Sequence, residues 1–248
     1  MVTVQFKMGS LEVSYLTDIG GRSTNEDRIL AKSFDGLHLL AVADGLGGHA
    51  AGEIASDMAV TEIEESLQLS VREGDIRNQV KEAVARANRK IYSLARENDK
   101  YTGMGTTLVM ALIRQARALI ANVGDSRAYY LNESQIKQIT RDHSVVQELL
   151  ERGLITEEEA WYHPYRGTLT KALGVEPEVK VDLYDTTFNQ GDILMLCSDG
   201  LTDSLRNEEI IEVISSAVNL DEACAELVRQ AKARDTRDNI SVILAREK

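Results

Sequence analysis

The stretch LHLLAVADGLGGH, residues 37–49, begins as an apolar run and ends in a glycine-rich turn. The run 39–43 predicts a buried strand, and Asp44 follows it directly. Gly45, Gly47 and Gly48 come next, and glycine lets backbone carbonyl and N–H groups approach an ion or a phosphate closely. The stretch therefore predicts a buried strand that delivers a carboxylate to a strand-to-helix loop.

Two further aspartates occupy the same kind of position. Asp199 closes the apolar run 193–198, and Asp238 precedes the run 240–244. Carboxylates at the ends of paired strands lie side by side, and close like charges cannot all stay ionised without a cation or strong bases. No cluster of Lys or Arg flanks them in the sequence, and oxygen ligands without a Cys and His set favour Mg²⁺ or Mn²⁺ over Zn²⁺.

Composition limits the classes of protein that fit. The 248 residues are 43% hydrophobic and contain no Pro/Gly/Ser-rich linker, which predicts one domain. A net charge of −12 argues against nucleic acid as a partner. The apolar runs are far shorter than the about 18 residues that span a bilayer, so no membrane association is expected. Residues 1–10 lack the apolar region of a signal peptide, which favours a cytoplasmic location.

The two cysteines, Cys197 and Cys224, fall in apolar patterns and are predicted to pack in the core, as in a reducing compartment. Neither lies in a loop that could cradle phosphate, which excludes a cysteine-nucleophile mechanism.

Hydrophobic periodicity predicts strands followed by paired helices, twice over. The predicted strands are 12–19, 28–34, 37–43, 105–113, 116–123, 127–131, 180–185, 192–197 and 240–245. The predicted helices are 50–69, 75–98, 144–152, 208–216 and 221–233, the last with Asp221 as its N-cap. Asp35-Gly36 predicts a hairpin turn. This pattern is typical of an α+β fold in which two antiparallel sheets pack face to face with helices outside.

Six short motifs occur in a fixed order along the chain: RSTNED at 22–27, DGLGGH at 44–49, GTT at 105–107, NVGDSR at 122–127, SDG at 198–200 and DN at 238–239. With these motifs the chain resembles the metal-dependent protein serine/threonine phosphatases of type 2C, in their compact bacterial form. The resemblance covers residues 9–246 as a single domain. It implies a four-layer α-β-β-α sandwich and a mobile flap at about residues 143–179, where an ordinary surface connection is the alternative.

The resemblance also implies roles for individual residues in binding two core ions, Mg²⁺ or Mn²⁺. Asp44 would bridge the ions, and the Gly45 carbonyl would bind one of them. Asp199 and Asp238 would bind the other ion. Glu26 would hold a water on the metal, with its neighbour Asp27 in support.

Two further roles are implied outside the core ions. Arg22 matches the arginine that binds the substrate phosphate, a role that suits its planar fork of donors, with a surface ion pair as the alternative. Asp125, Asp199 and Asp203 would form a weaker third metal site. Read without the resemblance, residues 124–127 are a turn between two strands.

The chain also departs from the family pattern. Leu46 stands where some members have a histidine proposed to protonate the leaving alcohol, so the general acid is unassigned; His49 is a candidate, with a structural role as the alternative. The loop 234–237, RDTR, stands where relatives usually have glycines. These changes bear on substrate choice more than on catalysis.

The sequence thus predicts a phosphatase that removes phosphate from serine and threonine residues of proteins and opposes a serine/threonine kinase. A dedicated phosphatase of one regulatory partner and a pseudophosphatase that only binds phosphoproteins are the alternatives. Residues 143–179 include Trp161 and Arg166, which are expected to grip a phosphopeptide.

Overall fold

The computed structural model describes residues 4–9, 11–47, 50–70, 75–133, 135–234 and 236–248. Its strands are β1 (Val4–Met8), β2 (Leu11–Asp18), β3 (Asp27–Phe34), β4 (Leu37–Leu46), β5 (Gly105–Thr106), β6 (Leu108–Arg114), β7 (Arg117–Val123), β8 (Arg127–Leu131), β9 (Ile136–Gln138), β10 (Asp182–Thr187), β11 (Ile193–Cys197) and β12 (Ile240–Glu247). Its α-helices are α1 (Ala50–Ser70), α2 (Ile76–Glu97), α3 (Val145–Glu151), α4 (Glu157–Trp161), α5 (Asp199–Thr202), α6 (Asn207–Ser216) and α7 (Leu220–Ala233), with a 3₁₀ turn at Asp99–Tyr101.

The strands form two antiparallel sheets. One has the order β1-β2-β12-β11-β8-β9 and the other β10-β7-β6-β4-β3, with β5 paired to β4. Helices α1 and α2 cover the outer face of the second sheet, and α6 and α7 cover the first. The predicted fold class, a four-layer α-β-β-α sandwich, is therefore confirmed.

Strand β4 shows why the opening stretch of the sequence is continuously apolar. Leu39 and Ala41 face the layer of α1 and α2, whereas Leu40 and Val42 face the other sheet. Successive side chains of a strand point to opposite faces, so a strand between two apolar layers needs apolar residues at every position.

Three local expectations can be compared with the structure. Asp35 and Gly36 have φ values of 49° and 73°, which confirms the predicted hairpin turn between β3 and β4. The N-cap of α7 is Asn219, whose side chain accepts a hydrogen bond from the backbone N–H of Glu222, so the assignment to Asp221 was wrong. Asp221 instead accepts a hydrogen bond from the Ser14 hydroxyl of β2. Strand β1 was not predicted.

The topology gathers the predicted motifs at one end of the sandwich. Asp44 lies at the end of β4, Asp125 follows β7, Asp199 follows β11, and Asp238 precedes β12. Residues 143–179 run from the turn after β9 to the approach of β10 and contain α3 and α4. None of the described helices is long and apolar enough to cross a membrane.

Candidate metal centre

Buried carboxylates crowd together at this end of the sandwich. The side chains of Asp27, Asp44 and Asp125 are buried, at 2%, 8% and 7% exposure. Burial, followed by the charges of the neighbouring aspartates, raises the pKa of Asp44 and of Asp199 well above the usual value. Burial likewise raises the pKa of Asp125 to about 7 and that of Asp27 to about 6. The cluster therefore holds more negative charge than its surroundings compensate.

The chemistry of these side chains fits a hard divalent cation. Asp199 Oδ1 is buried and has no hydrogen-bond partner in the part of the chain that the structure describes. A buried oxygen without a partner is costly, and a bound cation would satisfy it. Among the described residues, no three acidic, Cys or His side chains already enclose a common point closely enough to hold an ion. The Asp238 carboxylate is turned towards Arg22 instead.

Arg22 lies at the mouth of the cluster. Its Nε and Nη2 atoms donate to the two carboxylate oxygens of Asp238, at 3.0 and 2.7 Å. The Arg22 side chain remains 53% exposed, so the pair faces solvent. The sequence predicted that Arg22 binds the substrate phosphate, with a surface ion pair as the alternative. This geometry is compatible with both roles. Arg22 does form an ion pair, but its partner is one of the predicted metal ligands.

Backbone packing holds the Asp44 loop against α1. A Cβ atom on Gly45 would lie 2.1 Å from the Gly52 carbonyl oxygen, and one on Gly52 would lie 2.5 Å from Glu26 Oε2. These positions therefore require glycine for the close approach of β4 and α1. As a result the half-buried Glu26 carboxylate lies beside the start of α1, close to Gly45. The role of Gly52 was not found from the sequence.

The two threonines of the GTT motif fix the backbone of Asp44. Thr107 Oγ1 accepts a hydrogen bond from the Asp44 N–H at 3.0 Å and shares another with Ser126 Oγ at 2.7 Å. Thr106 Oγ1 donates to the Asp44 carbonyl at 2.9 Å. Thr107 thereby links the loop of Asp44 to the residue that follows Asp125.

Asn239 holds the loop of Arg22 and Glu26 next to Asp238. Its Oδ1 accepts from the Glu26 N–H at 2.8 Å, and its Nδ2 donates to the carbonyls of Ile19 and Thr24, each at 2.9 Å. These bonds explain why the sequence places an asparagine directly after Asp238.

Asp27 supports the cluster from the first strand of the second sheet. Its carboxylate accepts a hydrogen bond from Ser198 Oγ at 2.8 Å, and it pairs across the strands with Asp44. The supporting role of Asp27 stays a prediction.

The predicted third site is only partly assembled. Asp125 and Asp203 line the same cavity, and after burial the charges of Asp142 and Asp203 are the largest causes of the raised pKa of Asp125. The Asp203 side chain is 39% exposed and forms an ion pair with Arg166, with 2.9 Å between Oδ1 and Nε. The partly buried Arg127 guanidinium pairs with the buried Asp142 at 2.6 Å.

Arg22, Arg127 and Arg166 therefore all approach the acidic cluster. The sequence shows no cluster of Lys or Arg beside the predicted metal ligands, but the fold brings these three arginines close to them. No spacing pattern could have revealed Arg166, which is 37 residues from Asp203 in the chain.

The segment 143–179 is anchored on the same motifs. His143 Nδ1 accepts a hydrogen bond from the Gly124 N–H at 3.0 Å, and burial lowers the pKa of His143. At the other end, Leu173 pairs through its backbone with Thr106. The Arg166 guanidinium stacks on the Trp161 ring at 4.0 Å and forms an ion pair with Asp203, so its charge is already engaged within the fold.

Two expectations concern groups outside the cluster. Cys197 and Cys224 are buried in the core, and burial raises the pKa of each thiol to about 12, which excludes a thiolate nucleophile. The candidate general acid His49 lies outside the described residues.

A sandwich of this kind with an acidic cluster at one end and an arginine at its mouth places the protein among the metal-dependent phosphatases. The chain belongs to the protein phosphatase 2C family, whose pattern it matches over residues 18–245. It is 39% identical to the serine/threonine phosphatase Stp of Listeria monocytogenes, an alignment that covers 94% of this chain and 95% of that protein.

Solved structures give the same result. The serine/threonine phosphatase Stp1 of Staphylococcus aureus superposes with a TM-score of 0.90 at 38% identity, over 96% of this chain and 95% of that one. The catalytic domain of the phosphatase PstP, solved with two manganese ions, superposes with a TM-score of 0.84 at 34% identity, over 95% and 97%. The predicted family and serine/threonine phosphatase class are thereby confirmed.

Proposed function

We propose that this protein hydrolyses phosphoserine and phosphothreonine esters on proteins by direct attack of water, and that its acidic cluster holds two Mg²⁺ or Mn²⁺ ions. The observation that carries the proposal is the group of buried aspartates with raised pKa values around the partnerless Asp199 Oδ1. The manganese-bound PstP structure supports the choice of metal. Bound ions would supply activation of water and neutralisation of phosphate charge at near-neutral pH.

In this proposal, residues from both sheets bind the ions. Asp44 and the Gly45 carbonyl lie at the end of β4, where Asp44 would bind both ions and the Gly45 carbonyl would bind one of them. Asp199 and Asp238 would bind one ion from the first sheet. Glu26, next to Gly52, would orient water at the other.

Arg22 would bind the substrate phosphate. Its guanidinium already forms a two-point contact with the Asp238 carboxylate, and a phosphate offers the same arrangement of oxygens. A phosphate that displaces Asp238 from Arg22 would free that carboxylate for the cation. Binding of the substrate phosphate to Arg22 would then favour binding of the cation to Asp238, and the reverse.

Asp125, Asp199 and Asp203 are proposed as the weaker third site. Arg166 now neutralises Asp203, so a cation there would compete with a residue of the segment 143–179. We treat residues 9–246 as one domain and 143–179 as its flap. The partners in the proposal are phosphorylated proteins in the cytoplasm, with a serine/threonine kinase on the opposing side.

The purified protein should hydrolyse p-nitrophenyl phosphate with Mn²⁺ or Mg²⁺ and lose that activity in EDTA, because water needs the cation to attack near neutral pH. Release of p-nitrophenol measures the rate. Excess Mn²⁺ added to the EDTA sample is the control and should restore it. Full turnover in EDTA would rule out the metal mechanism, and no turnover under any condition would favour the pseudophosphatase alternative.

A further inference from the structure

An arginine-rich cavity opens beside Arg22, at the mouth of the acidic cluster. Its volume is about 700 Å³, and its charged lining residues are two aspartates, Asp203 and Asp238, and four arginines: Arg22, Arg206, Arg234 and Arg237. The whole chain carries a net charge of −12, so this concentration of positive charge differs from the rest of the molecule. An excess of positive charge in the lining of a cleft attracts ligands of the opposite sign.

Most of these arginines are already paired. Arg22 binds Asp238, Arg206 binds Glu158 at 2.9 Å, and Arg234 binds Glu209. Arg237 differs, because it is exposed and forms no hydrogen bond or ion pair with any residue that the structure describes. Of the four arginines, it is the one whose charge has no partner among the residues that the structure describes.

The backbone fixes Arg237 next to the proposed phosphate ligand. A Cβ atom on Gly21 would lie 2.6 Å from the Thr236 carbonyl oxygen and 3.1 Å from the Arg237 Cα, so the two loops are in direct contact. Arg22 follows Gly21 directly in the chain. Main-chain packing therefore places the Cα atom of Arg237 against the loop that carries Arg22.

An aromatic wall completes the cavity. The Trp161 ring lies between the guanidinium groups of Arg166 and Arg206, whose carbon atoms are 4.0 and 4.6 Å from the ring centroid. Tyr162 next to it is 73% exposed. A held aromatic surface beside a positive charge suits a peptide chain, which offers both apolar and charged groups.

We infer that Arg237 is a specificity-determining residue, which makes the enzyme prefer phosphorylated segments that carry Asp or Glu beside the phosphorylated residue. The inference rests on the proposed function, since it needs the substrate phosphate at Arg22. A short acidic segment fits better than an extended polyanion, because the strongly acidic remainder of the protein repels a large negatively charged surface.

Two phosphothreonine peptides test the inference: one has Glu at the two positions on each side of the phosphothreonine, and the other has Gln there. The manganese-loaded wild type should show a kcat/KM about two- to fivefold higher for the Glu peptide, the range expected for exposed ion pairs. The difference should lie in KM and should shrink in high salt, which screens exposed charges.

Arg237→Ala should reduce the ratio between the two peptides to about one, and Arg237→Lys should retain most of it, because the charge is kept. Arg89→Ala is the matched control: it removes one exposed positive charge from α2 and should leave the ratio unchanged. Hydrolysis of both peptides at equal rates by the wild type, or an unchanged ratio in Arg237→Ala, would overturn the inference and leave the proposed function intact. Failure to hydrolyse either peptide or p-nitrophenyl phosphate would overturn the proposed function itself.

Discussion

Asp44 illustrates how a single residue can serve function at the expense of stability. Its carboxyl is buried among other aspartates, and burial and those charges raise its pKa well above the usual value. The ionised form is therefore disfavoured in the folded protein unless a cation is present. The residue that would bridge the ions therefore also destabilises the folded protein when no metal is bound.

Asp44→Asn should consequently make the metal-free protein more stable while abolishing activity. Removal of one repelling charge is expected to raise the free energy of unfolding in EDTA by about 1 kcal/mol or more near neutral pH. The same change should remove turnover and weaken the stabilisation by Mn²⁺. Urea denaturation in EDTA and in Mn²⁺ measures both effects.

Asp185→Asn is the control for this variant. That side chain is 75% exposed and forms a surface ion pair with Arg77, so little change is expected in either condition. A metal-free Asp44→Asn protein less stable than the wild type would mean that the carboxylate is held by partners in the fold and is not strained by repulsion.

At the scale of elements, two hairpin turns show how local conformation contributes to stability apart from the site. Gly36 in the β3–β4 turn has φ 73°, and Gln115 in the β6–β7 turn has φ 54°. The left-handed region costs a residue with a side chain roughly 1–2 kcal/mol, whereas glycine enters it freely. The first turn therefore has a favourable residue and the second does not.

Gln115→Gly should raise the free energy of unfolding by about 0.5–1 kcal/mol, and Gly36→Ala should lower it by about 1 kcal/mol. The loss at Gly36 would come from the backbone alone, since no atom lies within 4 Å of an added Cβ. Ala116→Gly is the matched control, because Ala116 does not have a positive φ and should lose about 0.5–1 kcal/mol. Chemical denaturation measures all three, and a less stable Gln115→Gly would show that the side chain, not the turn, matters there.

For the whole molecule, the acidic cluster sets how stability depends on pH. Burial raises the pKa of Asp125 to about 7 and those of Asp44 and Asp199 well above their usual value. In this range the folded protein keeps protons that the unfolded chain has released. Its free energy of unfolding must therefore fall as the pH rises through the folded-state pKa values.

Two histidines, the half-buried His38 and the buried His143, act in the opposite direction. Burial lowers the pKa values of His38 and His143 below 6.5, so below that pH the unfolded chain takes up protons that the fold does not. Their contribution ends near pH 6.5, the usual value for histidine. Above pH 6.5, the change of the free energy of unfolding with pH therefore comes from the carboxyls.

In EDTA, the free energy of unfolding should fall by roughly 1 kcal/mol per pH unit from pH 6.5 to about pH 8. Saturating Mn²⁺ should flatten this slope and add about 2–3 kcal/mol of stability at a hundredfold excess over the dissociation constant. Denaturation curves across the pH range measure the slope, and Asp125→Asn should reduce it. A metal-free protein whose stability is constant or rises over this interval would contradict the raised carboxyl pKa values.

The sequence by itself determined the architecture and the candidate ligands. Both follow from local patterns. The unbroken apolar run of β4 indicates a strand that is buried on both faces, and Asp44, Asp199 and Asp238 lie where such runs meet loops. A strand's periodicity depends on its own residues and on the layers around it, so it can be read without knowing which residues will be partners. The hairpin at Asp35-Gly36 was predictable for the same reason.

Only the tertiary structure decided which charges meet. Arg22 and Asp238 are 216 residues apart in the chain, and Arg166 reaches Asp203 from the segment 143–179. The choice of Asn219 over Asp221 as the N-cap of α7 also depended on a distant residue, because Ser14 of β2 donates to Asp221. A hydrogen bond or ion pair requires atoms within a few ångströms, and the distance between residues far apart in sequence is set by the packing of the elements that carry them. A local sequence pattern therefore cannot predict which distant residues come into contact.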